Sequence, residues 1–197
     1  MEKNILFVIL EKFADWEAAY LSSAIQTFGA DQYAVKTVSL EKKAVESIGG
    51  FRIIPDYGIH DMPEDYAALI LIGGTSWRTD PAQQIRPFAE KCFHDGRILA
   101  GICDASAFLG TIGLLNNVRH TSNDCGNLKQ WAKNAYTGEE NYIMEQAVRD
   151  KKIITANGTA SLEFAREVLM ALNIAPEREI LDWYEFHKYG LYEANRK

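Results

Sequence analysis

No apolar run in the sequence reaches the roughly 18 residues that a bilayer span requires, so no membrane partner is expected. The start, Met1-Glu2-Lys3-Asn4, leads into a short apolar run without a small-residue cleavage site, which points to a cytoplasmic protein. Positive charge is scarce: 21 Lys and Arg face 27 Asp and Glu, for a net charge of −6. Adjacent basic residues occur only as pairs, such as Lys151-Lys152, whereas phosphate binding needs many clustered cations, so no nucleic-acid partner is expected. There are only three cysteines, irregularly spaced, and no CxxC or His/Cys cluster. That excludes a disulfide framework and a zinc site; no metal and no cofactor are expected. Internal repeats, low-complexity tracts and Pro/Gly/Ser linkers are also missing, and with 47% hydrophobic residues the chain reads as one domain over residues 1–197.

What is present is alternation. Short β-branched apolar runs at Ile5 to Leu10, Tyr33 to Leu40, Ala67 to Ile72, Ile98 to Ile102 and Ile153 to Ala156 read as buried parallel strands. Amphipathic stretches lie between them. Asp80-Pro81-Ala82-Gln83 carries helix-start signals, with Asp80 as cap, Pro81 in the first turn and Gln83 closing a capping box, for a helix to about His94 that would pack Cys92. Ala165, Val168, Leu169 and Leu172 keep the spacing of a helix laid on a sheet. Val45 to Tyr66 reads as a hairpin or irregular crossover, and the chain past Pro176 as a final helix. The sum is a doubly wound α/β fold: a mostly parallel sheet with helices on both faces.

Residues 97–109 pass from a strand pattern directly to a helix pattern, with Cys103 at the junction. Ligands of open α/β sheets bind at the carboxyl ends of strands. Gly101 and Ala105, two residues either side, give the small-x-nucleophile-x-small spacing of a nucleophile elbow, here with sulfur as the nucleophile. The helix that follows aims its unpaired N–H groups at the sulfur and favours thiolate; the adjacent charge of Asp104 opposes it. The alternative is a buried structural cysteine. Trp16 and Trp77 each follow a strand end by a few residues, as pocket-wall or rim aromatics. Cys125 lies in a polar loop that could approach the site as a resolving thiol.

Four segments, in order, resemble the ThiJ/PfpI family within the class I glutamine-amidotransferase-like superfamily: Phe13-Ala14-Asp15-Trp16-Glu17, Ile70-Leu71-Ile72-Gly73-Gly74, Ala100-Gly101-Ile102-Cys103, and Thr155 to Ala165. The first segment is most similar to a subgroup labelled intracellular proteases or amidases. The resemblance implies that Glu17, in the first turn of a helix capped by Asp15, lies beside the thiol, protonated and donating to sulfur. It also implies an oxyanion hole at Gly73-Gly74, completed by the Asp104 N–H, and a homodimer.

The pattern also departs from the family. Many members place a histidine directly after the cysteine, where this chain has Asp104. The family's other common histidine aligns with Asn123, a residue able to position a substrate but unable to take a proton near neutral pH. The general base is then Glu17, His120 or a residue of a second subunit. His60, His94 and His187 have no motif around them. The expected activity is that of a cysteine-dependent hydrolase, glyoxalase or deglycase acting on a small carbonyl or amide substrate. The rival classes are an oxidative-stress sensor whose Cys103 becomes a sulfinate, and a ligand-binding or chaperone-like protein with a relict site. The aromatic-rich tail from Trp183 to Tyr189 reads either as a dimer interface or as a helix packed on its own domain.

Overall fold

A computed structural model describes residues 2–194. The chain runs β1 (Lys3–Val8), α1 (Asp15–Gly29), β2 (Tyr33–Ser39), β3 (Val45–Glu46), β4 (Arg52–Ile53), β5 (Tyr57–Gly58), β6 (Ala68–Leu71), α2 (Arg86–His94), β7 (Ile98–Ile102), α3 (Asp104–Thr111), α4 (Cys125–Ala132), β8 (Ala147–Asp150), β9 (Ile153–Ala156), α5 (Ser161–Leu172), α6 (Glu177–Tyr189) and α7 (Leu191–Ala194). Seven strands form one sheet in the order β5-β2-β1-β6-β7-β9-β8, parallel except for the edge strand β8. The expected doubly wound α/β fold is therefore the observed one.

Strand periodicity decides which helix each side chain meets. Ile5 and Phe7 of β1, Ile70 of β6, Ala100 of β7 and Ile154 of β9 join the core under α1 and α5. Leu6, Val8, Leu69, Leu71 and Leu99, one residue out of phase, join the opposite core with Ala89 of α2 and Phe108 of α3. Both faces are dry, which is why these strands read as continuous apolar runs rather than alternating ones. The pairing brings the carboxyl ends of β1, β6, β7 and β9 to one edge, where the next residues are free to carry chemistry.

Several local expectations need correction. The helix expected over 80–94 is two elements: a 3-10 stretch at Asp80–Ile85, then α2, with Pro87 in its first turn. Thr79, not Asp80, stands at the start and makes no side-chain cap, so the capping box does not form. A second proline within six residues forces the restart, since it is tolerated only where a helix begins. Asp15 does not cap α1 either: the helix begins at Asp15 itself, and its carboxylate accepts the Gly49 N–H at 2.8 Å, tying the β3–β4 hairpin to α1. The strand β8, with Arg149 and Asp150 on its exposed edge, carried too little apolar signal to be read in advance.

Two of the four tail aromatics pack on their own chain, while Phe186 and Tyr189 stay exposed at 42% and 58%. Trp183 meets Tyr20 and Phe28 of α1 edge-on, at centroid distances of 6.3 and 6.4 Å, and the Tyr184 hydroxyl donates to Glu163 of α5 at 3.0 Å. Residues 1 and 195–197 lie outside the described residues. Among the described residues no helix is long and apolar enough to cross a membrane.

Candidate active site

Cys103 follows β7 directly and precedes α3, with φ 60° and ψ −131°. A non-glycine residue in such a conformation costs on the order of 1–3 kcal/mol and persists only where its surroundings enforce it. Here they do. Its N–H donates to Ala156 O at 3.0 Å, and its carbonyl accepts from the Ser106 N–H at 3.1 Å and the Ser106 hydroxyl at 2.6 Å. The small neighbours read from the sequence are sterically required. A Cβ on Gly101 would lie 3.1 Å from Leu109 and 3.2 Å from the Ala105 backbone, so a larger residue there would crowd the elbow.

Glu17 reaches the same point from the first turn of α1 and is fully buried. Its Oε2 accepts the Gly73 N–H at 2.8 Å, while Oε1 has no hydrogen-bond partner. A Cβ built on Gly158 would lie 2.9 Å from Cys103 Sγ and 3.2 Å from that unpartnered Oε1, so thiol and carboxyl face one another under the β9–α5 turn. Burial pushes Glu17 up to about 7. Burial, and then the charge of Glu17, push the Cys103 thiol up to about 11. The two values belong to the pair: it releases one proton near neutrality and holds the other far above it. The sulfur meets two donors, Asn123 Nδ2 at 3.2 Å and the Asp104 N–H at the helix end, whereas the carboxyl has the Gly73 N–H and, beyond it, only the thiol itself. That imbalance favours the anion on sulfur and the retained proton on Glu17.

The remaining expected residues separate into those the fold brings to the sulfur and those it does not. Asn123 bonds the thiol and, through Oδ1, accepts the Gly158 N–H at 2.8 Å. Trp16, 48% exposed, donates Nε1–H to Gly158 O at 3.0 Å and forms the rim. Gly73 cannot hold an oxyanion, because its N–H is committed to Glu17; its lack of a side chain instead admits Cys103, whose Cβ would lie 2.5 Å from an added Cβ. Gly74, at φ 147°, forms an antiparallel bridge with Phe13 in which the bonds run through Ala14 and Thr75, so its own N–H points away from residues 12–14.

Two further expectations fail on geometry. Trp77 is not a pocket wall: it is 1% exposed, donates Nε1–H to Ile72 O at 2.7 Å and packs on Phe108 with centroids 4.9 Å apart. Its apolar bulk fills the core on the α3 side. His120 is fully buried and both ring nitrogens are taken. Nδ1 donates to Val118 O at 2.8 Å, since a carbonyl can only accept, so Nε2 accepts from the Tyr136 hydroxyl at 2.7 Å. Burial holds its pKa below the usual value, and it makes no bond to Cys103. Its backbone instead helps place the Thr121-Ser122-Asn123 segment.

Sequence reasoning missed two residues. Gly158 covers the thiol, and nothing but its place in the Thr155 to Ala165 segment marked it. Arg78 grips Asp104 with a two-pronged fork, Nε to Oδ2 at 2.7 Å and Nη2 to Oδ1 at 3.0 Å. It also donates to Asn127 Oδ1 at 2.8 Å and lies 4.8 Å over the Trp131 ring. A cavity of about 840 Å³ opens beside Asn123, lined among others by Tyr142, Gln146, Asn157, Arg166 and Lys188. Cys125 also lines it, half-buried, with its thiol pushed up by burial. Among the described residues no cluster of three or more His, Cys, Asp or Glu is arranged to hold a metal ion.

The comparisons with known proteins agree with this fold. The family model described as DJ-1/PfpI family matches residues 3–171. The chain is 38% identical over 190 residues to a Bacillus subtilis protein named "Uncharacterized protease YdeA", covering 96% of this chain and 93% of that one. It is 32% identical to the same organism's "Uncharacterized protease YoaZ", covering 94% and 91%. A thiJ/pfpI family protein from Bacillus anthracis superposes with a TM-score of 0.92 at 31% identity, over 98% of this chain and 94% of that one.

Proposed function

The chain belongs to the DJ-1/PfpI family, and on that premise we propose that it is a cysteine-dependent enzyme, of hydrolase, amidase or glyoxalase/deglycase type, acting on a small polar carbonyl or amide compound. The observation that carries the reading is the fully buried Glu17 carboxyl with one oxygen unpartnered, facing a sulfur that is held at a strained elbow among hydrogen-bond donors. A carboxyl left half satisfied in the core costs stability, which is worth bearing where it moves a proton.

In the proposed reaction the Cys103 thiolate adds to the substrate carbonyl carbon. The C–S bond forms as the carbonyl π pair moves to oxygen, which the N–H groups of Gly74 and Asp104 hold. Glu17 gives its retained proton to that oxygen or to the departing amine, and in the hydrolytic case water then releases the acyl group from sulfur. The cavity beside Asn123 is not lined by Cys103 or Glu17; it adjoins the sulfur only through Asn123, and with Gln146, Asn157 and Arg166 on its walls it suits the polar remainder of a substrate whose carbonyl sits at the elbow. Peptide cleavage fits less well, because Asp104 stands where an adjacent histidine would take and return protons, and it is committed to Arg78. Nothing in this scheme needs a cofactor. We place the protein in the cytoplasm as a homodimer, for which light scattering at micromolar concentration should give twice the 22.2 kDa chain mass.

The test is turnover of a panel of small aldehydes, thioesters and amides by the wild type and Cys103→Ser. Loss of at least a hundredfold in kcat/KM on one class supports the reading; equal rates overturn it. The donors around the sulfur also favour a second reading, in which graded peroxide adds two oxygens to Cys103 and the resulting sulfinate is held by Glu17, Asn123 and the Asp104 N–H. Selective addition of two oxygens with no turnover of any substrate would assign the protein to that role.

A further inference from the structure

Asp104 is the residue most out of place at this site. A carboxylate one position past a nucleophilic sulfur opposes thiolate formation, and its side chain is only 18% exposed, so solvent screens it poorly. The charges facing the thiol come from three elements: Glu17 of α1, Asp104 of α3, and Arg78 of the 3-10 turn Thr75–Arg78 that follows Gly74. The loop before α4 brings the neutral Asn123, with Asp124 turned onto the Asn127 N–H, and the β9–α5 turn brings only Gly158.

Resting on the reading of Cys103 as the reacting group, we infer that Arg78 is a positioning residue of the reaction centre, which fixes the Asp104 carboxylate in its fork and cancels that charge where the thiolate forms. Three observations make the fork rigid. Arg78 spends two nitrogens on Asp104, shares one of them with Asn127, and sits 4.8 Å over the Trp131 ring, so α3 and α4 are joined through a single guanidinium. A bidentate arginine holds a carboxylate in one orientation, which a lysine point charge cannot do. The pair also frees the Asp104 N–H to face sulfur and oxyanion without the carboxylate swinging back onto it.

The sign of each perturbation is fixed by this arrangement. Arg78→Gln leaves Asp104 uncompensated beside the sulfur. Asp104→Asn leaves the cation uncompensated. The double variant restores neutrality. The experiment is the rate of Cys103 alkylation by iodoacetamide against pH, read by mass spectrometry of the Cys103 peptide. The midpoint should rise by roughly one pH unit in Arg78→Gln, fall by a comparable amount in Asp104→Asn, and return close to the wild-type value in the double variant. Unchanged midpoints in both single variants, or a double variant that keeps the Arg78→Gln shift, would overturn the assignment. If Arg78→Gln does not fold, the downward shift in Asp104→Asn is still required, and its absence is decisive. A wild-type protein whose Cys103 does not react at any pH would instead remove the nucleophile reading, and the role of Arg78 with it.

Discussion

Replacing Glu17 by glutamine keeps the shape of the side chain and its acceptor for the Gly73 N–H, and removes the charge. The glutamate of the unfolded chain ionises near 4.5, whereas in the folded protein burial raises it to about 7. As pH rises through this window the unfolded chain gives up its proton first and the native state binds more protons, so stability falls with pH. The contribution is fully present below 4.5 and lost as pH passes the folded value near 7. A shift of that size, at about 1.4 kcal/mol per unit, makes the wild type lose about 3 kcal/mol that Glu17→Gln does not lose. The figure does not depend on whether carboxyl or sulfur releases the first proton, because stability counts only protons bound by the pair. Urea unfolding of both proteins at a series of pH values from 4.5 to 7.5, followed by tryptophan fluorescence, reads it directly. Glu17→Gln should gain on the wild type steadily over that range. A stability difference constant to within about 0.5 kcal/mol would refute the claim that Glu17 is buried as an acid against the thiol.

Gly158→Ala places a methyl 2.9 Å from Sγ, so the β9–α5 turn must lift; Cys103 alkylation and any turnover should change at least tenfold while thermal stability falls by only a few degrees, checked by paired kinetic and melting measurements. Trp77→Ala should behave as a core deletion, costing about 3–5 kcal/mol in denaturant unfolding, where a pocket-wall residue would cost little.

The centre of the sheet was legible because strands such as β6 and β7 are buried on both faces and carry continuous apolar runs. The elbow was legible because Gly101 and Ala105 must be small to let α3 turn back on β7. Glu17 came from the ordered motifs, and Asn123 from the place where the chain departs from the family's histidine. What stayed hidden depended on meetings between distant segments. Arg78 and Asp104 are 26 residues apart and join only because the turn after β6 and the start of α3 share one sheet edge. Gly158 acts by what it lacks, and a glycine in a turn has the same appearance whether or not a sulfur lies beneath it. His120 carried the opposite error: its proximity in sequence to Asn123 suggested chemistry, but its ring faces Val118 and Tyr136. The capping box at Asp80 failed because Pro87, six residues after Pro81, supplied a second and stronger helix start.

The central claim is that the Cys103–Glu17 pair puts its first negative charge on sulfur. The alkylation rate of Cys103 in the wild type, followed from pH 5 to pH 11 with Cys92 as an internal reference, tests it most directly. Cys92 is fully buried, its thiol pushed up to about 11 by burial, and it should stay slow throughout the neutral range. The account predicts a step in the Cys103 rate well below the roughly 8.5 of a free cysteine, where the pair loses its first proton. A Cys103 rate that shows no step near neutrality and climbs only toward 11 would place the charge on Glu17 and contradict it.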